Sequence, residues 1–267
     1  MLYFSSLLQK IPTYKPAADN LFAALNLFDI KYKFIQNTKD IWLRDFMPVQ
    51  RKDGKYVSFR YEPSYLKDAP ELRTNFKKDI SGSFPAEEIL YSDINLDGGN
   101  VVFSPSKRRA VISDHIFSEN AGKDRAELVS ELSNVLDAEI IIIESLPSDM
   151  TGHADGMVRF AAEDTVLINR TNFKHGLEQR QARQFKKMGF YVIEFPYYHC
   201  GGISAEGTYL NYLETAFRIF LPVFGNEMDA AAFDFASQIF QKEVVPVEVQ
   251  SLSAKGGILN CISWEDS

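Results

Sequence analysis

The sequence predicts an α/β protein that is built from a recurring unit of helix, strand, polar turn and further strands. Residues 123–137 carry apolar side chains at helical spacing, and residues 139–144 (EIIIIE) form a short apolar run that is typical of a buried strand. The same order of elements returns twice towards the C-terminus. Polar residues at the turns recur every 50 to 58 residues. We therefore expect similar α/β units around a pseudo-symmetry axis.

The second half of the chain shows the unit most clearly. After residues 139–144 come the turn TGHADG and two predicted strands, MVRFA and TVLIN. The next copy has a helix over residues 177–188, a strand over 191–195, a Gly-rich turn over 201–207, and strands at 209–213 and RIFLPVFG.

The last copy has a helix over residues 229–241, a strand over 244–249, the turn AKGG and a final strand, ILNCISW. In the first half, IWLRDFMPV and INLDGGNVVF are predicted to be the same strand and turn region.

Composition narrows the class of protein. A formal net charge of −7 argues against a nucleic-acid-binding protein, which needs clustered Lys and Arg, and it favours cationic substrates. Two Cys and four His residues are few for a disulfide framework or a metal cluster. Because we find neither a signal-peptide pattern nor an apolar run of about 18 residues, we expect no membrane segment. These points predict a cytoplasmic protein with one domain over residues 1–267.

Five polar residues stand at the predicted turns and define a candidate site. They are Asp45, Asp97, His153, Asn211 and Cys261, at successive differences of 52, 56, 58 and 50 residues. Equivalent positions in repeated units would bring them together near the axis. The alternative is that any α/β chain has polar turns at such intervals.

Two of the segments carry the groups that thiol chemistry requires. Cys261 follows the Gly256–Gly257 pair, which allows a tight turn before a predicted strand. His153 and Asp155 are two residues apart, so on a strand an imidazole and a carboxylate would share one face. Without a nearby base or cation, Cys261 would be an inert buried thiol, and His153 could simply cap a turn.

The remaining candidates are acidic or amide residues. Asp97 precedes two glycines, where the backbone is expected to pass close to a ligand or another strand, and its carboxylate could orient an imidazole. Asp45 would point away from Arg44 on a strand, and so could face the site. Asn211 has aromatic neighbours. The ordinary alternatives are a plain turn at Asp97, a surface ion pair at Asp45 and a local hydrogen bond at Asn211. The neighbouring His199 and Cys200 are interpreted as a loop feature, because adjacent residues rarely meet in catalytic geometry.

The motifs WLRDFMP, LDGGNVVF, GHADGMVRF, TYLNYL, FLPVFG and GGILNCISW occur in this order between about residues 41 and 264. Together they resemble the guanidino-group modifying enzymes, and most of all the agmatine deiminase and bacterial peptidylarginine deiminase family. The resemblance implies a five-bladed pseudo-symmetric α/β-propeller, the pentein fold, of ββαβ-type repeats. It also implies hydrolysis of a guanidinium group.

By this resemblance Cys261 is the nucleophile, His153 the general acid and base, and Asp97 the acidic residue beside the histidine. A thiolate would attack the guanidinium carbon, ammonia would leave, and water would release a ureido product from a covalent thiouronium intermediate. The reaction as implied requires no metal or organic cofactor.

Asp45 and Asp155 correspond to the carboxylates that bind the guanidinium, and Asn211 to an active-site Asn of the peptidylarginine deiminase branch. The sequence departs from agmatine deiminases at Asp97, where Glu is usual, and at Met47, where Gly is usual. It also lacks their Trp-rich N-terminal segment. The substrate expected is therefore a small cationic guanidino compound, either agmatine or an arginine derivative, with peptidyl arginine also open.

Three other functions stay open at this point. An amidinotransferase of the same fold would resolve the intermediate with an amine instead of water. A non-catalytic five-bladed binding protein, like the ribosome anti-association factors, would have no need for Cys, His and acidic residues in register. A Cys-His-Asp protease would leave the RD and GGN motifs without a role. The sequence also leaves open whether the chain is a monomer or a homodimer.

Overall fold

The strands form five separate three-stranded sheets, in a computed structural model that describes residues 1–83, 88–170, 176–199 and 203–266. The strands are β1 (Leu2–Ser5), β2 (Tyr32–Ile35), β3 (Val49–Gln50), β4 (Tyr56–Arg60), β5 (Ile89–Asn95), β6 (Val102–Phe103), β7 (Arg109–Ser113), β8 (Glu139–Ile143), β9 (Val158–Ala162), β10 (Thr165–Asn169), β11 (Tyr191–Phe195), β12 (Leu213–Glu214), β13 (Arg218–Val223), β14 (Glu243–Glu248) and β15 (Ser263–Glu265).

All five sheets have the same connectivity. Their orders are β15-β1-β2, β3-β4-β5, β6-β7-β8, β9-β10-β11 and β12-β13-β14. In each one the first strand is antiparallel to the middle strand, which is parallel to the third. Only the first sheet takes strands from both ends of the chain, because β15 pairs with β1. The predicted five-bladed α/β architecture is therefore confirmed.

In four of the sheets, helices connect the middle strand to the third strand, since parallel strands need such a crossover. The short helices Leu43–Phe46 and Gln250–Ser253 instead lie between one sheet and the next. The helices are α1 (Leu7–Lys10), α2 (Lys15–Leu27), α3 (Leu43–Phe46), α4 (His115–Glu119), α5 (Arg125–Leu136), α6 (Leu177–Lys187), α7 (Met228–Ile239) and α8 (Gln250–Ser253). Between β4 and β5 the crossover has short 3₁₀ turns and a π-helical turn, Phe76–Ile80, in place of a long helix. In the described ranges, every helix is too short or too polar to span a lipid bilayer.

Helix α5 illustrates why these segments fold as they do. Leu128, Leu132 and Leu136 repeat at four-residue spacing, and all three are buried against the sheet. Burial of each leucine stabilises the fold by about 1.5–3 kcal/mol. At the N-terminus, the Asp124 carboxylate accepts hydrogen bonds from two free backbone N–H groups. The predicted helices over 123–137, 177–188 and 229–241 match α5, α6 and α7 to within two residues.

Two predicted strands are much shorter than the apolar runs that suggested them. The run at 209–213 gives only Leu213 to β12, and the run ILNCISW gives only its last two residues to β15. Tyr209, Leu210 and Tyr212 are fully buried but form a turn. The apolar runs indicate burial, which these turns share with strands because they lie inside the molecule.

Candidate active site

Five turns, one ahead of the first strand of each sheet, meet inside the ring of sheets. They are Leu43–Phe46 before β3, Gly98–Asn100 before β6, Ala154–Gly156 before β9, residues 208–211 before β12 and residues 258–262 before β15. Each turn, with the residue that precedes it, supplies polar side chains to the same region. We call these segments the five turns.

Direct contacts join each turn to its neighbours. Arg44 N donates to Cys261 O at 3.0 Å, Ala154 N to Asn100 Oδ1 at 3.2 Å, and Asn260 N to Asn211 O at 3.1 Å. A Cβ atom on Gly98 would lie only 2.2 Å from the Arg44 carbonyl oxygen, so these two backbones touch. Asn211 Nδ2 donates to Asp155 Oδ2 at 3.0 Å, which joins the third turn to the fourth. The five turns therefore form a closed ring.

The imidazole of His153 lies between two carboxylates. Its Nε2 is 2.8 Å from Asp97 Oδ2, and its Nδ1 is 3.6 Å from Asp45 Oδ1. The Tyr65 hydroxyl donates to the same Asp97 oxygen at 2.9 Å. Burial, together with the Asp97 charge, raises the pKa of Tyr65 well above its ordinary value, so this hydroxyl stays a donor. The tyrosine and the histidine together fix the position of the Asp97 carboxylate.

These carboxylates favour a positively charged imidazole. Burial alone would lower the pKa of His153, but the charges of Asp45, Asp97 and Asp155 outweigh burial and raise that pKa to about 10. The surrounding carboxylates therefore favour the imidazolium form of the ring, which has an N–H donor on each nitrogen.

Asp45 brings into the site a carboxylate oxygen that lies near the His153 ring but has no hydrogen-bond partner among the described residues. The residue is only 7% exposed, and its Oδ1 has no hydrogen-bond partner among the described residues. Burial raises the pKa of Asp45, the neighbouring carboxylates add to the increase, and the His153 charge opposes it. A buried acceptor of this kind is costly to leave unpaired, so it fits a site that receives a donor from a ligand.

Asp155, Asn211 and Cys261 form the opposite side of the site. Asp155 Oδ2 accepts from Asn211 Nδ2 at 3.0 Å and from Asn260 Nδ2 at 2.7 Å. The Cys261 sulfur is 3.8 Å from the same Asp155 oxygen and 3.3 Å from Asn211 Oδ1. Asn211 thus orients both the carboxylate and the cysteine, whose backbone N–H also donates to Asn211 Oδ1 at 3.3 Å.

The surroundings of Cys261 favour the protonated thiol over the thiolate. Burial, followed by the negative charges of Asp155 and Asp45, raises the pKa of Cys261 well above its ordinary value. The charges nearest the sulfur are carboxylates, so the predicted attack by a thiolate requires a cation that offsets them. A bound cation would neutralise them and favour the thiolate.

The glycine pair of LDGGN has the role expected of it, since the backbone passes close to its neighbours. A Cβ on Gly99 would lie 2.6 Å from Asp45 Oδ1 and 2.7 Å from His153 Nδ1. Any larger residue at position 99 would push these two side chains apart. Gly256 before Cys261 has a φ of +94°, a left-handed conformation that suits glycine.

The local structure around the candidates was predicted wrongly, although the residues meet. Cys261, Asn211, Asp155 and Asp45 lie in turns or a single helical turn, not in strands. His153 and Asp155 therefore do not share a strand face: His153 contacts Asp97, and Asp155 contacts Asn211. A tight turn projects consecutive side chains in different directions, which is how one segment supplies two sides of the site.

Other details of the prediction have mixed outcomes. Arg44 does point away from Asp45, because its guanidinium pairs with Glu265 outside the site. His199 is exposed, whereas Cys200 lies outside the described residues. Most of the predicted Gly-rich turn at 201–207 is described, and its first two residues are not.

Sequence reasoning missed two residues that contact the site residues, Tyr65 and Asn260, and a third, Arg159, that contacts Asn260. Tyr65 follows β4 in an irregular segment, where no periodicity indicates which side chains turn inward. Asn260 directly precedes Cys261, and its amide on Asp155 could have been suspected from that position alone. Arg159 lies in the quoted motif GHADGMVRF, and its Nη1 donates to Asn260 Oδ1 at 2.9 Å.

The arrangement suits a flat cation rather than a metal ion. Two carboxylates, Asp45 and Asp155, approach from different turns, with an imidazolium and a thiol beside them. Among the described residues, no three His, Cys, Asp or Glu side chains are grouped as metal ligands would be. Planar groups with several N–H donors, such as a guanidinium, match paired carboxylates in bidentate fashion.

Comparison with solved structures places the fold among known deiminases. The agmatine deiminase of C. jejuni superposes with a TM-score of 0.75 at 19% identity, over 98% of this chain and 92% of that protein. The agmatine deiminase of Enterococcus faecalis gives a TM-score of 0.76 at 16% identity, over 98% and 92%. The DDAH from Pseudomonas aeruginosa gives 0.60 at 11% identity, over 94% and 88%. At these levels of sequence identity the similarity shows the fold alone. A comparison with curated proteins gave no match.

The family assignment comes from the sequence itself. A model of the Porphyromonas-type peptidyl-arginine deiminase family matches residues 9–266. This match covers all five turns and every side chain that meets in them. The whole candidate active site therefore lies within the residues that the family model matches. The chain therefore belongs to the Porphyromonas-type peptidyl-arginine deiminase family.

Proposed function

We propose that the protein is a guanidino-group hydrolase, a deiminase that converts a guanidinium substrate into a ureido product and ammonia. The observation that carries the proposal is the buried Asp45 oxygen, which has no hydrogen-bond partner among the described residues and shares a site with the Asp155 carboxylate and the Cys261 sulfur. Membership of a deiminase family supports the same reaction.

Binding is the first step of the proposed reaction. The guanidinium N–H groups donate to the carboxylates of Asp45 and Asp155, which hold the central carbon near the Cys261 sulfur. The positive charge of the substrate offsets the two negative charges that keep the sulfur protonated. The thiol then releases its proton to solvent, so the thiolate forms only when a substrate is present, and the sulfur takes up a proton again when the product leaves.

Bond making and breaking follow from the positions of Cys261 and His153. The thiolate adds to the guanidinium carbon, and His153 donates its proton to the departing nitrogen, which leaves as ammonia. A covalent thiouronium remains. His153, now neutral, takes a proton from water as the water oxygen adds to the same carbon. The carbon–sulfur bond then breaks, which restores the thiolate and the imidazolium and gives the protonated ureido product, whose extra proton passes to ammonia.

The substrate class is a cationic guanidino compound, and the head group is the part that these contacts address. Agmatine is the substrate named for the C. jejuni and E. faecalis proteins, and peptidyl arginine is the one named for the family. The proposal includes both, because Asp45 and Asp155 would contact the guanidinium that they share.

A substrate screen tests the proposal. The purified protein is incubated with agmatine, free arginine and an arginine-containing peptide, and ureido product and ammonia are measured in parallel. We expect equal amounts of ureido product and ammonia from at least one compound. Transfer of the amidino group to an amine, without ammonia release, would instead identify an amidinotransferase.

Substitution of the sulfur provides the matched control. Cys261→Ala should lower turnover at least about a thousand-fold, because loss of a nucleophile removes the covalent route. Cys200→Ser, which changes the other cysteine of the chain, should leave the turnover rate unchanged. Full activity in Cys261→Ala, or no turnover of any guanidino compound by the unmodified protein, would contradict the proposed function.

A further inference from the structure

A mostly buried arginine is linked to the carboxylate that lies near the sulfur. Arg159 lies in β9, four residues after Asp155, and its side chain is only 14% exposed. Its Nη1 donates to Asn260 Oδ1 at 2.9 Å, and Asn260 Nδ2 in turn donates to Asp155 Oδ2 at 2.7 Å. A chain of hydrogen bonds therefore runs from the guanidinium of Arg159 to the Asp155 carboxylate.

We propose that Arg159 is a positioning residue, which fixes the Asn260 amide so that its NH₂ group holds Asp155 in place to bind the substrate guanidinium. The inference rests on the proposed function for the identity of that substrate. Arg159 itself touches neither the sulfur nor the imidazole in the contacts described here. It would act on binding through Asn260 and Asp155.

Donor and acceptor chemistry fixes the direction of this chain. An arginine guanidinium has only donors, so the atom of Asn260 that faces it must be the amide oxygen. An ionised carboxylate has only acceptors, so the atom that faces Asp155 must be the amide nitrogen. Without Arg159 the amide could rotate by half a turn and present its oxygen to Asp155, where two acceptors would repel each other.

Arg159 is itself held at two further points. Its guanidinium carbon lies 4.5 Å from the centre of the Tyr212 ring, and its Nη2 is 3.7 Å from Glu214 Oε2. Tyr212 directly follows Asn211, the other residue whose amide donates to Asp155. Arg159 is therefore bonded to one of the two amides that hold Asp155, and it stacks on the residue that follows the other amide in the sequence.

The consequence concerns substrate binding more than the reactivity of the sulfur. Two amide donors occupy Asp155 Oδ2 and determine how the rest of that carboxylate faces the site. If the Asn260 amide is free to turn, Asp155 loses one donor and its orientation. The guanidinium should then bind more weakly, while bound substrate still meets the same sulfur and imidazole.

A double-mutant cycle tests the inference. Arg159→Met, Asn260→Ala and the double variant are compared with the unmodified protein for KM, kcat and Tm. We expect Arg159→Met to raise KM about ten-fold, with kcat changed less than about three-fold. If Arg159 acts through Asn260, the double variant should have the KM of Asn260→Ala alone, because the second loss has nothing left to remove.

A second readout does not depend on turnover. Alkylation of Cys261 by iodoacetamide is followed by mass spectrometry of its peptide at increasing millimolar guanidinium chloride, which gives a Kd from protection. We expect this Kd to rise about ten-fold in Arg159→Met. Arg218→Met is the matched control, because Arg218 also stacks on an aromatic ring, that of Phe28 at 3.9 Å, and pairs with a glutamate outside the site.

The outcomes separate this inference from the proposed function. If guanidinium fails to protect Cys261 in the unmodified protein and no compound is turned over, the proposed function is wrong. If the unmodified protein is protected and active, but Arg159→Met leaves KM and Kd unchanged, only the inference is wrong. Effects of Arg159→Met and Asn260→Ala that multiply in the double variant would also overturn it, since they would indicate independent roles. Tm values identify any variant that fails to fold, and Asn260→Ala then tests the amide by itself.

Discussion

At the scale of single residues, the sulfur of Cys261 lies close to negative charge. Asp155 is 3.8 Å away, and the charges of Asp155 and Asp45 add to burial in raising the pKa of the thiol. Many reactive cysteines depend on a neighbouring cation, which lowers the thiol pKa permanently. Here the cation would be the substrate, so the free protein would keep its thiol protonated and protected from adventitious alkylation or oxidation.

Removal of the Asp45 charge should make the Cys261 sulfur more reactive. Asp45→Asn removes one negative charge near the sulfur, so the pKa of the Cys261 thiol falls. Because the thiolate is the form that is alkylated, the alkylation rate then rises at a lower pH than in the unmodified protein. At pH 9 we expect alkylation of Cys261 in the free protein to be about 3- to 10-fold faster than in the unmodified protein. Iodoacetamide labelling from pH 7 to 10, with mass spectrometry of the Cys261 peptide, measures this.

The same substitution should weaken protection of Cys261 by guanidinium, because one of the two binding carboxylates is lost. Asp53→Asn serves as the control, since Asp53 is a surface residue paired with Arg51. Unchanged or slower alkylation in Asp45→Asn would count against an electrostatic effect of Asp45 on the sulfur.

The six site residues could be found from the sequence, whereas two of the residues that support them, Tyr65 and Arg159, could not. Asp45, Asp97, His153, Asp155, Asn211 and Cys261 stand in short ordered motifs, and the structure brings all six together. Their catalytic and binding roles stay predictions. Tyr65 and Arg159 act through contacts between distant segments, 32 and 101 residues apart, and no local pattern encodes such contacts.

At the scale of elements, the sequence predicted the helices and their parallel strands more closely than the buried turns. Helices α5, α6 and α7 and their parallel strands follow ordinary apolar periodicity, and so they were predicted closely. The turns before β12 and β15 are as apolar as strands, because they are enclosed by the five sheets. Periodicity reports burial, and it does not distinguish a buried turn from a buried strand when the segment is short.

Asparagine side chains join these turns, and this role is open to test at Asn100. Its Oδ1 accepts from the backbone N–H groups of Ser113 and Ala154, and the residue is only 3% exposed. Asn100→Ala leaves two buried donors unpaired, so we expect a loss of about 2–4 kcal/mol in the free energy of unfolding. Urea unfolding followed by circular dichroism measures it.

Asn20→Ala is the matched control, because the Asn20 amide bonds to the exposed Glu248 on the surface. We expect this substitution to lower the free energy of unfolding by less than about 0.5 kcal/mol. Equal losses in the two variants would mean that Asn100 does not hold the second and third turns together. Because Ala154 follows His153, activity should also fall in Asn100→Ala.

At the scale of the whole molecule, the ring of sheets is closed by β15 on β1. Tyr3 pairs with Trp264 in this register, and Trp264 is 3% exposed. The indole packs 5.4 Å from the Tyr3 ring and 5.8 Å from the Tyr56 ring, and its N–H donates to Pro48 O at 2.8 Å. One side chain thus joins the last strand to the first two sheets.

Trp264→Ala should therefore destabilise the fold by about 3–5 kcal/mol, as expected for removal of a large buried aromatic residue. Tyr191→Ala, at a residue that is 70% exposed, should change stability by less than about 0.5 kcal/mol. Thermal and urea unfolding compare the two. A loss at Trp264 no larger than that at Tyr191 would show that closure of the ring adds little to stability.

Closure of the ring has a consequence for the newly made protein. A ribosome adds Asp45, Asp97, His153 and Asp155 to the chain before Cys261, because these four residues come earlier in the sequence. The turn that contains Cys261 leads directly into β15, which pairs with β1, a strand far earlier in the sequence. The proposed chemistry therefore becomes possible only after β15 has been synthesised and has paired with β1.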